Sequence, residues 1–173
     1  MRIISGKYKG KKLNGFTIEG TRPTMDRVKE SLFAMIQTNL NEAIVLDLFA
    51  GSGALGLEAI SNGAKKCYLI DNNEEAIKTI KANSTNIKED LNIIHTDYKK
   101  FLKQIDQKFD IIFLDPPYQS NQLNKALKII EERDLLKEKG IIVCEYEKIP
   151  PITNLKLLKE KNYGTKTIKI YGK

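Results

Sequence analysis

The residues best suited to chemistry stand at 115–118, where the apolar run Ile111, Ile112, Phe113, Leu114 stops at Asp115, Pro116, Pro117 and Tyr118. Two successive prolines fix φ twice and remove two N–H groups, so the turn they build is stiff and offers mainly hydrogen-bond acceptors. Such a turn suits a ligand that donates, and the exocyclic amine of a nucleobase is one. If the Asp115 carboxylate and the Pro116 carbonyl accept its two hydrogens, the lone pair otherwise delocalised into the ring becomes available for attack on an electrophilic methyl. Positive charge then grows on the nitrogen, so fixed acceptors stabilise the transition state more than the ground state. Tyr118 offers a ring on which the base can stack. A plain Asp-Pro loop is the competing reading of the same four residues.

A second set lies in "VLDLFAGSGALGLEA", where Gly51, Gly53 and Gly56 fall between a strand pattern and a helix pattern. With Asp71 twenty residues beyond Gly51, this satisfies the dinucleotide fingerprint, and NAD-dependent oxidoreduction is a competitor. Asp47, at the end of the first strand pattern, points another way. A carboxylate there can hold an amine, whereas beside a pyrophosphate it would repel. S-adenosylmethionine carries an ammonium group and a ribose diol but no phosphate, and it matches Asp47, the glycine loop and Asp71 as one set. Asp97 follows the third strand pattern, where it could accept from the adenine amine or cap the next helix. His95, the single histidine, has no evident partner and reads as structural.

Both sets depend on elements that end at a common edge. Strand patterns occupy 44–49, 66–71, 91–95, 109–115 and 140–146, separated by helical patterns near 54–62, 73–86, 98–104 and 121–133. This alternation predicts an α/β, doubly wound, Rossmann-like and mostly parallel sheet. The chain closes with two alternating runs around Tyr163 and Gly164, which predict an antiparallel hairpin and a total of seven strands. Ahead of the alternation, Val28, Leu32, Met35 and Ile36 mark a helix with Thr24 as candidate N-cap. The first 20 residues, punctuated by Gly6, Gly10, Gly15 and Gly20, read as strand and turn. A basic β extension over 1–22 and a main domain over 23–173 follow.

The 173 residues suffice for one core, and no apolar stretch reaches the length of a membrane span. A cytoplasmic address and a monomer are the default expectations. Cys67 and Cys144 sit in apolar runs as reduced thiols, and no cysteine or histidine spacing suggests a metal. Residues 1–29 hold eight Lys or Arg against two acids, while 30–173 hold 21 against 20. The basic N-terminal segment, with Arg2, Lys7, Lys9, Lys11 and Lys12 interleaved with Tyr8 and Phe16, is the footprint expected of a chain that meets phosphates, with a solvated, solubilising arm as the competing reading.

Four segments, "RIISGKYKGKKL", "TRPTMDRVKESLFAMI", "VLDLFAGSGALGLEAISNGA" and "FDIIFLDPPY", in this order and nearly end to end, resemble the RsmD family of class I S-adenosylmethionine-dependent methyltransferases. The resemblance implies methylation of the exocyclic N2 of a guanine in small-subunit ribosomal RNA, as free RNA or as an assembling subunit. It implies a cofactor site of Asp47, Gly51, Gly53, Asp71 and Asp97, with Ala50, Asn72 and Tyr98 beside them. It also implies that Asp115 to Tyr118 hold the base, and that Arg22, Thr24 and Arg27 sit at the mouth of the site. DNA adenine methyltransferases share "DPPY" and a glycine loop; the compact chain, without a separate recognition domain, argues against that group.

Overall fold

The computed structural model describes residues 1–16, 26–117 and 120–173. Strands β1 (Ile44–Asp47), β2 (Lys66–Asp71), β3 (Asp90–His95), β4 (Phe109–Leu114), β5 (Leu136–Tyr146), β6 (Lys156–Tyr163) and β7 (Lys166–Gly172) form one sheet in the order β3-β2-β1-β4-β5-β7-β6. The first five are mutually parallel, while β7 runs antiparallel to β5 and β6 antiparallel to β7. This is the expected doubly wound sheet with its closing hairpin.

Both faces of the sheet are covered, which explains the unbroken apolar run of β4. Ile111 and Phe113 join the cluster beneath α1 (Asp26–Met35), α2 (Ala54–Ser61) and α3 (Glu74–Asn83). Phe109, Ile112 and Leu114 join the one beneath α4 (Tyr98–Gln104) and α5 (Gln122–Glu132). The Phe33 ring of α1 lies 5.8 Å from that of Phe113, centroid to centroid. Cys67 and Cys144 are buried thiols.

Two strand boundaries differ from the sequence pattern. β1 stops at Asp47 instead of 49, although the Leu48 and Ala50 N–H groups still reach the flanking strands at the Phe113 and Ile70 carbonyls, 3.3 and 2.9 Å away. β5 starts at 136 instead of 140, through a register shift opposite Phe109 and Ile111. The candidate cap Thr24 and the 22/23 domain boundary lie outside the described residues.

Among the described residues the N-terminal segment forms one antiparallel bridge, Arg2 with Lys12, and it is pinned down by a buried ion pair. Glu58 of α2 and Lys29 of α1 are both fully buried with 3.3 Å between charged atoms. Glu58 also accepts from the N–H groups of Ile4 and Ser5, and the Lys29 ammonium donates to the Arg2 carbonyl at 2.6 Å. Helical spacing puts Lys29 on the same face as Leu32, Phe33 and Ile36, but nothing local names its partner, which is 29 residues away. Truncating one member of a buried pair strands the other. Lys29→Met is therefore expected to lower the unfolding free energy by about 3–5 kcal/mol in urea denaturation. The double change Lys29→Met/Glu58→Gln should cost less than the single one.

Candidate active site

At β1 the strand order reverses, with β2 on one side and β4 on the other, so the carboxyl ends of β1 and β4 open onto a crevice. A cleft of about 290 Å³ lies there. Asp47, Ala50, Gly51, Asp71, Asn72 and Tyr98 line one part of it, and Asp115 and Pro117 line another. Members of both sets of residues singled out by chemistry thus line one cavity; Gly53, Asp97 and Pro116 are not part of its described lining.

Asp47, the last residue of β1, is 2% exposed, and its Oδ2 accepts the Gly56 N–H at 3.0 Å. Burial pushes its carboxyl up to about 7, and the neighbouring Asp71 charge adds to the rise. Asp71 ends β2 and organises the loop opposite: Oδ2 accepts from Gly51 N–H and Oδ1 from Asn73 N–H, each at 2.9 Å. Burial raises its carboxyl too, with those N–H groups pulling it back. Gly53 holds φ at 82° as α2 begins, a left-handed conformation suited to glycine. At Gly56 an added Cβ would meet Cys67 Sγ at 2.8 Å, so helix and strand approach closely only with hydrogen there.

The other predicted residues divide. Asp97 is the N-cap of α4: its Oδ1 accepts from Lys99 and Lys100 N–H at 2.9 and 3.2 Å, and the cleft wall beside it is made by Thr96 and Tyr98. Tyr98 is buried with its ring 5.1 Å from that of Phe49. Pro116 is half-buried, and the Pro117 carbonyl accepts from Ser120 Oγ at 2.8 Å. His95 Nε2 lies 2.9 Å from the Asn72 carbonyl oxygen. Tyr118, Arg22 and Thr24 lie outside the described residues, while Arg27 is exposed on the first turn of α1.

The arm lysines are not gathered at the crevice. Lys7 pairs with Glu89 at 2.8 Å, the Lys11 ammonium donates to the Thr85 carbonyl at 2.7 Å, and the Tyr8 hydroxyl donates to Glu89 at 2.6 Å. Glu89 immediately precedes β3, so these contacts fall at the amino-terminal edge of the parallel strands, opposite the turn that begins at Asp115. Arg2, Lys9 and Lys12 are exposed. Two cleft residues escaped sequence reasoning as lining groups: Phe16, with Cδ1 3.8 Å from a Cβ built on Gly51, and Gln122 at the start of α5. Gln122 follows the acceptor turn closely enough to have been suspected. Phe16 reads in the sequence only as an aromatic of the basic segment, because only folding brings that segment to the glycine loop.

Sheet order and crevice define the class I, Rossmann-like methyltransferase fold. The chain belongs to the family described as Conserved hypothetical protein 95, the RsmD family, whose model matches residues 1–172. It is 38% identical to the Ribosomal RNA small subunit methyltransferase D of Haemophilus influenzae, over 99% of this chain and 93% of that protein. It is 33% identical to the protein of the same name from Escherichia coli K12, over 99% and 89%. A solved structure of yhhF from Escherichia coli aligns with a TM-score of 0.88 at 31% identity, covering 99% of this chain and 96% of that one.

Fold and family imply S-adenosylmethionine, and the cleft fits it. Its described lining holds three carboxylates, Asp47, Asp71 and Asp115, and no Lys or Arg. That donor set suits an ammonium group and hydroxyls and disfavours a pyrophosphate. The raised Asp47 carboxyl also sets a stability signature. An unfolded Asp ionises near pH 4 and the folded one near 7, so folding is penalised progressively as pH rises between those values. Asp47→Asn, which keeps an acceptor for Gly56, should therefore unfold at higher denaturant than the wild type at pH 8. The gain should vanish towards pH 4.

Proposed function

We propose that this protein methylates the exocyclic N2 of a guanine in small-subunit ribosomal RNA, using S-adenosylmethionine. The observation that carries the reading is the single cleft shared by the buried Asp47, the glycine loop and the Asp115 turn. The relatives named as ribosomal RNA small subunit methyltransferases favour RNA over the DNA adenine alternative. A ribosomal substrate would put the work in the cytoplasm.

When bound, the cofactor supplies an electrophilic methyl on a sulfonium. The chain's own residues position what reacts with it. Asp47 faces the cofactor's ammonium group, and Asp71, already fixed by Gly51 and Asn73, accepts from the ribose hydroxyls. The Asp115 carboxylate and the Pro116 carbonyl accept the two hydrogens of the guanine amine. They hold its nitrogen in a pyramidal geometry and stabilise the positive charge that develops there. Tyr118 stacks on the base.

With tritiated cofactor, the protein should label small-subunit ribosomal RNA and leave DNA unlabelled. Asp115→Ala should lower kcat by roughly 10²–10³-fold, while the Kd for S-adenosylhomocysteine stays within about threefold of wild type. Transfer at a near wild-type rate in that variant excludes the role given to Asp115. Asp47 also predicts a pH dependence. An ammonium ligand needs it ionised, so S-adenosylhomocysteine affinity should weaken as pH falls below about 7, by up to tenfold per pH unit. Calorimetric titration across pH 5.5–8.5 (about three units) reads this directly, and Asp47→Asn should flatten it.

A further inference from the structure

The balance of 21 basic against 20 acidic residues over 30–173 conceals an asymmetry. Residues 148–173 hold seven lysines and one acid, Glu160. The fold lays three of these lysines, Lys156, Lys159 and Lys161, on an edge strand of the sheet, since β6 has a neighbour on one side only, and 156–162 are all exposed. Lys148, Lys156, Lys159, Lys161 and Lys169 make no ion pair with any described residue. Lys166 and Lys173, by contrast, are paired with Glu145 and with Asp134 and Glu138.

Register places this edge against the crevice. Leu114, the residue before Asp115, pairs with Cys144, which pairs with Lys169, which pairs with Glu160. Lys161 is one step further toward the edge of the sheet from which Asp115 projects. Lys148 follows the carboxyl end of β5 by two residues. Three strand spacings, roughly 14 Å, separate β4 from β6. The hairpin is held rigidly to α1: Tyr163 OH and Lys161 Nζ both donate to Ser31 Oγ, at 2.6 and 3.0 Å, and the Lys159 ammonium donates to the Met35 carbonyl.

We propose that this edge, β6 with Lys148 and Lys169, is the surface that takes the phosphate backbone of the RNA and leads it to the crevice. The proposal rests on the RNA reading above and narrows it to one face of the molecule. Lys156, Lys159 and Lys161 along one strand, exposed and without an ion pair among the described residues, provide a positive stripe at phosphate-accessible positions, whereas the arm's Lys7 is paired with Glu89 at the opposite edge of the parallel strands. Exposed lysines on an edge strand also discourage edge-to-edge pairing, which is the competing explanation.

The test compares the full-length wild type with K148Q/K156Q/K161Q/K169Q, with the matching four-arginine variant, and with K7Q/K9Q/K11Q/K12Q. Binding to in-vitro-transcribed small-subunit ribosomal RNA is measured from about 50 to 300 mM salt. The edge glutamine variant should lose roughly 3 from the slope of log Kd against log salt and bind more than about tenfold more weakly at 150 mM. Its S-adenosylhomocysteine affinity and urea midpoint should match the wild type. The arginine variant should retain the slope, and the arm variant should lose less of it. An edge variant with the wild-type slope overturns the proposal. If that variant instead self-associates, the lysines guard the edge. Edge-dependent RNA binding by a wild type that transfers no methyl group would leave this surface standing and strike the proposed reaction.

Discussion

The site depends on a carboxylate kept out of water at the carboxyl end of β1. Asp47 is held there because β1 is flanked by β2 and β4 and roofed by α2, whose Gly56 N–H it accepts. Burial without a cation drives its carboxyl toward neutrality. A buried acid that destabilises the empty protein and gains a partner on binding is a common way for a cleft to trade stability for affinity. The glycine loop is built around the same constraint, since the close approach that lets Gly56 reach Asp47 leaves no room for a side chain.

The N-terminal segment belongs to the architecture of that cleft. Glu58 and Lys29 make a polar knot inside the protein, satisfied by main-chain groups of residues 2, 4 and 5. Ile3 and Leu13 pack with Ala54 and Leu57 of α2. Fixed at these points, the chain climbs past α3, where Asn83 bonds to both Asn14 and Ser52, and delivers Phe16 to the glycine loop. The segment that read as a charged arm is therefore also a wall of the cavity, and the helix that follows it carries Arg27.

Charge is divided by the fold in a way that net totals hide. Acidic groups concentrate in the cleft, where the proposed ligand presents an ammonium and hydroxyls. Lys156, Lys159 and Lys161 lie exposed along an edge strand of the sheet, without an ion pair to any described residue. The two populations suit the two proposed ligands, a cation with no phosphate and a polyanion, and the order β4-β5-β7-β6 sets them three strand spacings apart.

The sequence alone determined the element order, the mostly parallel sheet with its closing hairpin, and the two residue sets at 47–71 and 115–118. Each of these is written in local signals: continuous apolar runs for strands buried on both faces, glycines where backbone must approach backbone, and prolines where the chain must stop donating. Tertiary structure alone decided that Lys29 is buried against Glu58, that Phe16 reaches the cleft, and that the Asp97 carboxylate caps α4. It alone separated lysines tied to carboxylates and carbonyls from lysines left to solvent. Those outcomes turn on contacts between residues tens of positions apart, such as Lys7 with Glu89. A charge has no periodicity that tells its partner's position; only packing brings the partner within hydrogen-bond range.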